Sequence, residues 1–486
     1  MTFGGNVLVL GLGAVSRCAM PLLLKHLGLP PDRFTVIDPS DEEPVAQAAI
    51  QLMSAGVRFE KGGLVRDGIG ALERLLRPGD LCVDLSVNVG TADLVRWCHE
   101  RGVLFANTSV ETWPGEIDLP GRPPTERAIY AVHMALRRMI AEWSDRRGPT
   151  AVIDHGANPG LVSHFTKVGL GDIAARWLAE HPPGEQRDLI QDALGRRAWA
   201  HLAMHLGVRV IHISERDTQA VDTPRRPREL ANTWSAESLY TECCHAPVEM
   251  GWGTHEKQLP PNAFTYRRGP RNQICLDAAG ISTRVRTWVP SGETIGFVVP
   301  HSEAFTISEH LTVREGNRPL YRPTVHFAYR PCDSALVGLF ELYERNQRVQ
   351  FRSRIITDEI VTGCDELGVL LMGHAYRSWW TGSVLDIESA RQLVPHQNAT
   401  TLQVACSLVA AAAWALRNPR AGVCVPDELP HEEILNDAKP YLGRFISRQT
   451  DWSPLDHWSH NRGEPGAAIP SEEDAWQFST FLASAQ

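Results

Sequence analysis

The sequence predicts an α/β fold, with an N-terminal domain built on a parallel sheet and a second, mixed α+β domain. Two local patterns and one change of pattern lead to this prediction. An apolar strand pattern at 7–10 ends in Gly11-Leu12-Gly13 and is followed by a helical pattern up to Leu27. A second strand pattern at 34–37 ends in Asp38. Strand and helix patterns alternate to about residue 150, and from about 160 to 395 the pattern becomes mixed.

The order strand, glycine loop, helix, strand and acid is typical of the dinucleotide-binding βαβ unit of a Rossmann domain. Gly11 permits a tight turn, and Gly13 lets the backbone approach a pyrophosphate at the helix N-terminus. Asp38 is placed to accept the ribose hydroxyls and would repel a 2′-phosphate. The predicted cofactor is therefore NAD rather than NADP. Ser16 takes the place of the third glycine of the fingerprint.

Two further strand ends are candidates for the cofactor wall. A buried strand pattern at 81–85 leads to Ser86, Val87 and Asn88, and a helix is predicted at 92–101. The next strand, 103–106, ends at Asn107 and Thr108. Since the carboxyl ends of parallel strands face the cofactor crevice, loops 86–88 and 107–109 are candidate contacts. The alternative is ordinary turn chemistry.

The remaining patterns predict the domain organisation. A long helix is expected at about 126–144, followed by a strand at 150–153 and a turn at 156–160. Strand patterns at 208–213, 285–289, 295–299 and 325–329 lie between helices, and a strong helix is predicted at 401–416. We expect a NAD-binding Rossmann domain at 1–150 and a substrate-binding and dimerisation domain at 151–395. A helix at 396–425 would return to the Rossmann domain, and 426–486, with Trp452, Trp458 and Trp476, would wrap the surface.

Composition excludes several classes of protein. The 48 Lys and Arg residues against 57 Asp and Glu give a net charge of −9, which argues against a nucleic-acid partner. The ten cysteines contain no C-x-x-C pair, so reduced thiols in a cytoplasmic protein are expected, without zinc or disulfides. The first strand pattern begins too early to leave room for a signal peptide. The longest apolar stretch, 404–416, is shorter than the roughly 20 residues of a membrane span, so a buried helix is predicted and no membrane partner.

Carboxylates beside tryptophans and amides are concentrated in the middle of the chain. A carboxylate can bind an ammonium group or accept its proton, and a tryptophan face can hold a cation or a developing iminium. Together these groups suggest an amine substrate that is oxidised by NAD, although any single pair on its own is more often a helix end with a packed ring. The candidates are Glu111-Thr112-Trp113, Glu215-Arg216-Asp217-Thr218-Gln219, Asn232-Thr233-Trp234-Ser235 with Glu242, Glu249-Met250-Gly251-Trp252-Gly253, and Asp365-Glu366.

Four histidines, His155, His212, His301 and His326, are candidate proton carriers. None has the spacing of a metal-ligand pair, so no metal site is expected. The sequence contains neither a G-x-S-x-G elbow nor a Walker loop, which argues against a hydrolase and against a phosphoryl-transfer enzyme.

With these motifs the chain resembles the bacterial homospermidine synthases nearly from end to end. The wider relatives are the saccharopine-dehydrogenase-like enzymes, which combine a Rossmann domain with a mixed domain. The matching motifs are 156–160 (GANPG), 210–219 (VIHISERDTQ), 232–235 (NTWS), 251–254 (GWGT), 283–288 (TRVRTW), 321–324 (YRPT), 365–371 (DELGVLL) and 397–400 (QNAT).

The resemblance implies a redox-neutral transferase. A hydride passes from putrescine to NAD, a second diamine displaces ammonia from the imine, and the hydride returns to give homospermidine. NAD then behaves as a prosthetic group. The implied substrates are diamines and polyamines, namely putrescine, with spermidine and 1,3-diaminopropane as further candidates, and the implied assembly is a homodimer.

The resemblance also implies roles for single residues. Trp234 would lie against the cationic intermediate, and Asn158 near the reacting carbon and the nicotinamide. Glu215 and Glu242 would contact the substrate amines. The remaining implied substrate-binding residues are Asp365 at the remote ammonium, His301 and Glu303 in the amine site, and Glu111 at its mouth. The full set of implied cofactor contacts is Gly11, Gly13, Ala14, Val15, Asp38, Ser86, Val87, Asn88, Asn107, Thr108, Ala157, Asn158 and Pro159.

Two alternatives remain open at this point. A saccharopine-type or carboxyspermidine-type dehydrogenase with net NAD(P)H turnover would need an arginine clamp for a carboxylate, whereas the motifs here are mainly acidic. A non-catalytic NAD-sensing or scaffold protein would convert no diamine.

Overall fold

The computed structural model describes residues 3–117, 121–345, 351–456 and 470–483. The strands in the first half of the chain are β1 (Val7–Leu10), β2 (Phe34–Asp38), β3 (Arg58–Lys61), β4 (Leu81–Asp84), β5 (Leu104–Asn107), β6 (Ala151–Val152), β7 (Val210–Asp217), β8 (Ala220–Val221) and β9 (Glu229–Asn232). Those in the second half are β10 (Pro247–Gly251), β11 (Ala263–Thr265), β12 (Gln273–Ala279), β13 (Arg284–Val289), β14 (Gly292–Val299), β15 (Val313–Glu315), β16 (Arg318–Tyr321), β17 (Thr324–Arg330), β18 (Arg352–Ile355), β19 (Ile360–Thr362), β20 (Cys364–His374), β21 (Arg377–Asp386), β22 (Val423–Cys424) and β23 (Arg444–Thr450).

The helices have the following bounds. They are α1 (Ala14–Leu27), α2 (Glu43–Ser54), α3 (Thr91–Arg101), α4 (Ile129–Ala141), α5 (Leu161–Glu180), α6 (Glu185–Gly195), α7 (Trp199–Leu206), α8 (Ala236–Cys244), α9 (Glu303–His310), α10 (Asp333–Glu344), α11 (Ile387–Leu393), α12 (Ala399–Arg417), α13 (His431–Ala438) and α14 (Phe478–Phe481).

The chain divides into two compact units, each made of separate stretches. The first unit comprises 1–122, 129–161 and 388–442, and the second comprises 123–128, 162–387 and 443–486. The sequence interpretation placed boundaries at 150, 395 and 425, whereas the contacts divide the chain chiefly near 161, 387 and 442. Element patterns do not reveal which unit a returning segment joins, because that depends on packing between residues distant in sequence.

The first unit is built on a seven-stranded parallel sheet in the order β22-β6-β5-β4-β1-β2-β3. Six of these strands follow the doubly wound order 3-2-1-4-5-6 of a Rossmann fold, which confirms the predicted fold class. Strands β1 and β4 are buried along their whole length, as expected where helices cover both faces of a parallel sheet. The short strand β22 extends the sheet beside β6.

Helix α12 also belongs to the first unit. It begins at Asn398, whose side-chain Oδ1 accepts a hydrogen bond from the Thr401 N–H at 2.8 Å, and it packs against α1, α13 and β5. Its apolar segment is long enough to be tested as a membrane span, but 83% of that segment is buried within the structure. Its burial identifies it as a core helix, which confirms the predicted buried helix, although the helix is longer than the apolar stretch 404–416.

The predicted helix at 126–144 is shorter in the structure. Residues Pro124–Glu126 form a separate 3₁₀ turn, and α4 spans Ile129–Ala141. After Ala141 the backbone bonds tighten to a three-residue spacing, and the Trp143 ring stacks on His99 at 3.8 Å. Trp143 therefore lies beyond the end of α4, in contact with His99 of α3.

The second unit is organised around a ten-stranded mixed sheet. Its main path is β11-β12-β10-β17-β7-β20-β21-β23, with β14 joining β17 to β13. Strands β17 and β7 run parallel, while β20 runs antiparallel to β7. The predicted strand at 208–213 continues to Asp217, so its acidic end lies inside the sheet.

The described C-terminal segment is part of the second unit's packing and does not wrap its surface. Strand β23 forms an edge of the large sheet beside β21. Trp452 and Trp476 are buried against the core that contains Val210 and Met250. Trp458 lies outside the described residues. The tryptophans of this segment therefore cover an apolar face of the sheet.

Candidate active site

The glycine loop of the first unit has the geometry that a dinucleotide requires. Gly11 has φ +86°, and a Cβ there would lie 2.6 Å from the carbonyl oxygen of Leu85. A side chain at Gly13 would meet no described atom within 4 Å. Gly13 also precedes α1 without a side-chain cap among the described residues. The first turn of α1, with Ala14 and Val15, thus presents backbone N–H groups beside open space, and these residues fit a pyrophosphate.

Asp38 closes this loop from the end of β2. Its Oδ2 accepts a hydrogen bond from the Leu12 N–H at 2.5 Å, and its Oδ1 accepts one from the Ser40 N–H at 2.7 Å. Each carboxylate oxygen keeps a further acceptor position. The side chain therefore braces the glycine loop. The sequence pattern predicted only a contact with the ribose hydroxyls.

Ser16 occupies the position of the third fingerprint glycine. The residue is buried, and its hydroxyl has no hydrogen-bond partner among the described residues. A small side chain at this point of α1 suits close packing of the helix against the sheet.

The end of β4 carries a buried carboxyl. Asp84 accepts hydrogen bonds at its Oδ1 from the Ser86 hydroxyl at 2.5 Å and the Ser86 N–H at 3.2 Å. Burial, with a smaller contribution from the charge of Glu111, outweighs these two hydrogen bonds and raises the pKa of Asp84 to about 7. Val87 is exposed, and Asn88 has φ 62°, so the loop turns sharply away from the strand.

The end of β5 is tied to the turn after β6. Asn107 Oδ1 accepts from the Asp154 N–H at 2.9 Å, and its Nδ2 donates to the Ser109 carbonyl at 2.5 Å. Asp154 in turn lies 2.8 Å from Nε2 of the buried His133. Asn107 therefore fixes the two loops to each other.

The turn 156–160 lies beside Thr108. A Cβ on Gly156 would stand 3.4 Å from the Thr108 Cβ, and the Gly156 N–H donates to the Pro159 carbonyl at 2.7 Å. Ala157 is buried, while Asn158 and Pro159 are half-buried. All the residues expected to contact the cofactor thus follow the carboxyl ends of β1, β2, β4, β5 and β6 in the first unit.

Glu111 also lies in the first unit. Its N–H donates to the Thr91 hydroxyl at 2.9 Å, and its Oε1 accepts from the Ser109 hydroxyl at 3.3 Å. The carboxylate is half-buried, next to the loops described above.

The second unit brings three carboxylates to one face of its sheet. Asp365 of β20 pairs with Asp217 of β7, and Glu215 pairs with Tyr329 of β17. Since side chains alternate along a strand, these four side chains share one face, and all are buried. We call Glu215, Asp217 and Asp365 the acidic triad.

The charged residues next in sequence, Arg216 and Glu366, lie on the opposite face of the sheet. Arg216 donates from Nη1 to the Ser291 hydroxyl at 2.8 Å, and Glu366 accepts from the Ser291 N–H at 2.9 Å. Arg216 therefore does not neutralise Glu215 or Asp217, its neighbours in sequence.

Asp217 connects the acidic triad to Trp234. Its Oδ2 accepts from the Thr233 hydroxyl at 2.6 Å, and its Oδ1 accepts from the Gln219 N–H at 2.8 Å. Burial raises the pKa of Asp217 to about 6, although these hydrogen bonds lower it. Thr233 and Trp234 form the short link between β9 and α8, so this contact anchors the link.

Aromatic rings adjoin the acidic triad. Trp234 donates from Nε1 to the Tyr329 hydroxyl at 3.0 Å, and Tyr329 stacks on Phe327 with ring centroids 5.2 Å apart. Phe327 in turn lies 4.7 Å from the His301 ring. These rings form a continuous wall from Trp234 to His301.

His301 lies between two carboxylates. Its Nε2 is 3.2 Å from Glu242 Oε2, and its Nδ1 is 3.3 Å from Glu303 Oε1. Burial disfavours the charged imidazolium, but Glu303 and Glu242 outweigh burial and hold the pKa of His301 well above its usual value. The group can therefore carry a proton at neutral pH.

The other singled-out residues lie elsewhere. His155 contacts the Ser407 hydroxyl at 2.9 Å in the first unit. His212 and His326 pack 4.2 Å apart inside the second unit, where burial lowers the pKa of both. Glu249 accepts hydrogen bonds from Gln273 and, at 3.4 Å, from the Tyr266 hydroxyl within the sheet.

Sequence reasoning missed Tyr329 and Phe327. The run 325–329 was predicted to be a strand, and period-two alternation puts these two rings on one face, opposite His326. That pattern could have shown that the two rings share a face. It could not have shown that Glu215 lies beside Tyr329, because this depends on the pairing of β7 with β17, more than one hundred residues apart in sequence.

Comparison with known proteins gives concordant results. Residues 7–152 match the saccharopine dehydrogenase NADP-binding domain, and 156–450 match the saccharopine dehydrogenase C-terminal domain. Homospermidine synthases of Blastochloris viridis and Mesorhizobium japonicum are 39% and 37% identical, each over 98% of this chain and 97% and 96% of the relative. The crystal structure of the Legionella pneumophila homospermidine synthase in complex with NAD is 36% identical, with a TM-score of 0.87 over 100% of this chain and 99% of that one.

The match extends over both units, from the glycine loop of the first to the acidic triad and aromatic wall of the second. The chain belongs to the homospermidine synthases, within the saccharopine-dehydrogenase-like enzymes.

Proposed function

We propose that this protein is an NAD-dependent homospermidine synthase that converts two putrescine molecules into homospermidine and ammonia. The observation that carries the proposal is the acidic triad beside Trp234 in the second unit. Three buried carboxylates on one face of the sheet suit a substrate whose ends are ammonium groups. An indole ring beside them suits a cationic intermediate.

The proposed cofactor is NAD. The relative from Legionella pneumophila was solved with NAD, whereas the matching domain model is named for NADP. Asp38 favours NAD here, because its carboxylate would repel a 2′-phosphate. Gly11, Gly13 and Asp38 would hold the dinucleotide. Bound NAD supplies the acceptor, and then the donor, of one hydride in each turnover, so its redox state does not change overall.

The residues of the second unit would bind and orient the diamine. Glu215 and Glu242 would contact the reacting amines, and Asp365 would hold the ammonium group at the far end. The face of Trp234 would stabilise the iminium by cation–π attraction, worth about 2 kcal/mol when desolvated. In the first unit Asn158 would lie near the reacting carbon and Glu111 would attract diamines.

Proton movement would centre on His301. Protonated between Glu242 and Glu303, the imidazolium can supply a proton at Nε2 toward the Glu242 side. Departure of ammonia requires a proton on the leaving nitrogen, and attack by the second amine requires loss of one. A paired acid and base at one point serves both steps.

The alternative is a saccharopine-type or carboxyspermidine-type dehydrogenase with net cofactor turnover. Its substrates carry carboxylates, which need an arginine clamp. Arg216, the arginine nearest in sequence to the triad, points to the opposite face of the sheet. The geometry therefore favours the transferase.

We further propose a cytoplasmic homodimer that also accepts spermidine or 1,3-diaminopropane. The free thiol state of all ten cysteines supports a reducing compartment. The dimer and the additional amines rest on the family alone.

The decisive test incubates the purified protein with NAD⁺ and putrescine. Homospermidine and ammonia in a 1:1 ratio by mass spectrometry and ammonia assay, without a rise in reduced-nicotinamide absorbance, would support the transferase. Accumulating NADH without a coupled product would identify a dehydrogenase instead.

A matched pair of variants then tests the acidic triad. Glu215→Gln should weaken putrescine use while NAD affinity stays unchanged. Glu366→Gln, next in sequence to Asp365 but on the opposite face of the sheet, is the control and should leave putrescine use intact. Unchanged turnover of Glu215→Gln would contradict the assigned role.

A further inference from the structure

Trp234 has an indole N–H with a defined partner. The N–H donates to the Tyr329 hydroxyl at 3.0 Å, and the ring centroids are 6.5 Å apart with an interplanar angle of 46°. The Tyr329 ring is itself fixed by its strand, by pairing opposite Glu215, and by stacking on Phe327 at 18°. The ring of Trp234, on the short link between β9 and α8, is thus tied to the sheet by this hydrogen bond.

We propose that Tyr329 is a positioning residue for the reaction, because its hydroxyl sets the orientation of the Trp234 indole. The inference rests on the proposed function, in which the indole face stabilises a cation. Cation–π attraction depends on the cation lying over the ring face. A ring that rotates in its link would lose part of this stabilisation when the iminium forms.

The chemistry of the hydroxyl suits this role. An indole N–H can only donate, so its partner must offer an acceptor oxygen. Burial, and after it the charges of Glu215, Asp217 and Asp365, hold the pKa of Tyr329 well above its usual value. The phenol therefore stays protonated and neutral throughout the working pH range, and the contact does not switch with pH.

Two anchors make the orientation specific. Thr233 bonds to Asp217 at 2.6 Å and fixes the backbone of the link, while Tyr329 fixes the ring. Both partners belong to neighbouring strands β7 and β17. The acidic triad and the indole are consequently held to the same rigid surface.

The first experiment reads the contact directly. Protein labelled with ¹⁵N-tryptophan contains 14 indole N–H groups, and the resonance lost in Trp234→Phe identifies Trp234. In Tyr329→Phe we expect that resonance to move upfield, because a hydrogen bond is lost. Tyr321→Phe is the control, since it removes another buried hydroxyl bond, to the Val208 carbonyl at 2.7 Å. It should leave the resonance in place.

The second experiment is a double-mutant cycle on turnover. Tyr329→Phe should lower kcat for putrescine roughly threefold to tenfold, the range expected for one hydrogen bond, with KM changed less than twofold. Phenylalanine at 234 has no N–H to donate. Tyr329→Phe should therefore have no further effect in the Trp234→Phe background.

The outcomes separate the two proposals. An unshifted Trp234 resonance, or an equal loss of kcat in both backgrounds, would overturn the positioning role even in an active enzyme. A shifted resonance with a non-additive cycle would support it. Wild-type protein that makes no homospermidine would count against the proposed function, because the resonance is read without turnover.

Discussion

Replacing His301 with glutamine should expose how the buried carboxylates of the second unit are held. Glu303 has no solvent exposure. Within the described residues its carboxylate oxygens have the His301 imidazole as ion-pair partner and no hydrogen bond. The variant removes the positive charge and leaves a buried carboxylate. The neighbouring Glu242, with a side chain 22% exposed, can turn to water instead.

The loss of stability expected for His301→Gln follows from the burial of the ion pair. Breaking a buried ion pair by removing one partner costs about 3–5 kcal/mol. The His301 side chain is 11% exposed, so the lower end, about 3 kcal/mol, applies. For a unit of this size each kcal/mol shifts the midpoint by roughly 2 °C, which gives a fall of about 6 °C.

Differential scanning calorimetry at pH 7 without ligands measures this effect. His301→Gln/Glu303→Gln is the matched control, because two amides can pair without a buried charge. It should recover most of the loss. The reasoning would be refuted if the single variant were as stable as wild type, or if the double variant were no more stable than the single variant.

The same pair predicts a pH dependence. The pKa of His301 is raised in the folded state, so its contribution to stability is fully present below about 6.5, the usual value for histidine. It is lost as the pH rises through the folded pKa. Wild-type stability should therefore fall in the alkaline range more steeply than that of the double variant, as thermal unfolding from pH 7 to 10 would measure. Parallel pH profiles would exclude this contribution.

Three further predictions concern other parts of the protein. Trp234→Ala should lower turnover far more than Trp234→Phe, which keeps a ring face; equal rates in a putrescine assay would remove the cation–π role. Gly11→Ala should lower the thermal midpoint, because a Cβ would meet the Leu85 carbonyl at 2.6 Å, whereas Gly13→Ala should keep the midpoint and weaken NAD binding at least tenfold by calorimetry; two variants of equal stability would contradict this. Asp84, with a folded pKa of about 7 against 3.8, binds more protons when folded, so its own contribution to stability falls as the pH rises from 4 to 7. Asp84→Asn lacks this contribution, so its stability relative to wild type should rise over that range; identical pH profiles would contradict this.

Local rules made the first unit predictable. The glycine loop, Asp38 and the strand ends at 84 and 107 follow from the chain's own order of strand, turn and helix. Strand β22 could not be predicted, because Val423–Cys424 is too short for a periodic signal and its partner β6 lies far back in the sequence. The predicted helix 126–144 is longer than α4, because the periodicity of apolar residues does not reveal the contact of Trp143 with His99.

The second unit was predictable in its residue types but not in their arrangement. Acids and tryptophans in the sequence indicated an amine site, and the resemblance named Glu215, Trp234 and Asp365. Which of the acids share a face depends on the register of β7 with β20 and β17. Tyr329 gains its neighbours only from that register, so no local pattern singled it out.

The return of 388–442 to the first unit has a consequence for synthesis on the ribosome. The nascent first unit lacks β22 and the core helix α12 until more than two hundred further residues have been added, on the order of tens of seconds at cellular elongation rates. During that interval the faces of α1 and β5 that α12 covers stay exposed. An N-terminal fragment ending at residue 161 would carry the same apolar surface permanently. It should aggregate or recruit chaperones, although it contains the whole glycine loop.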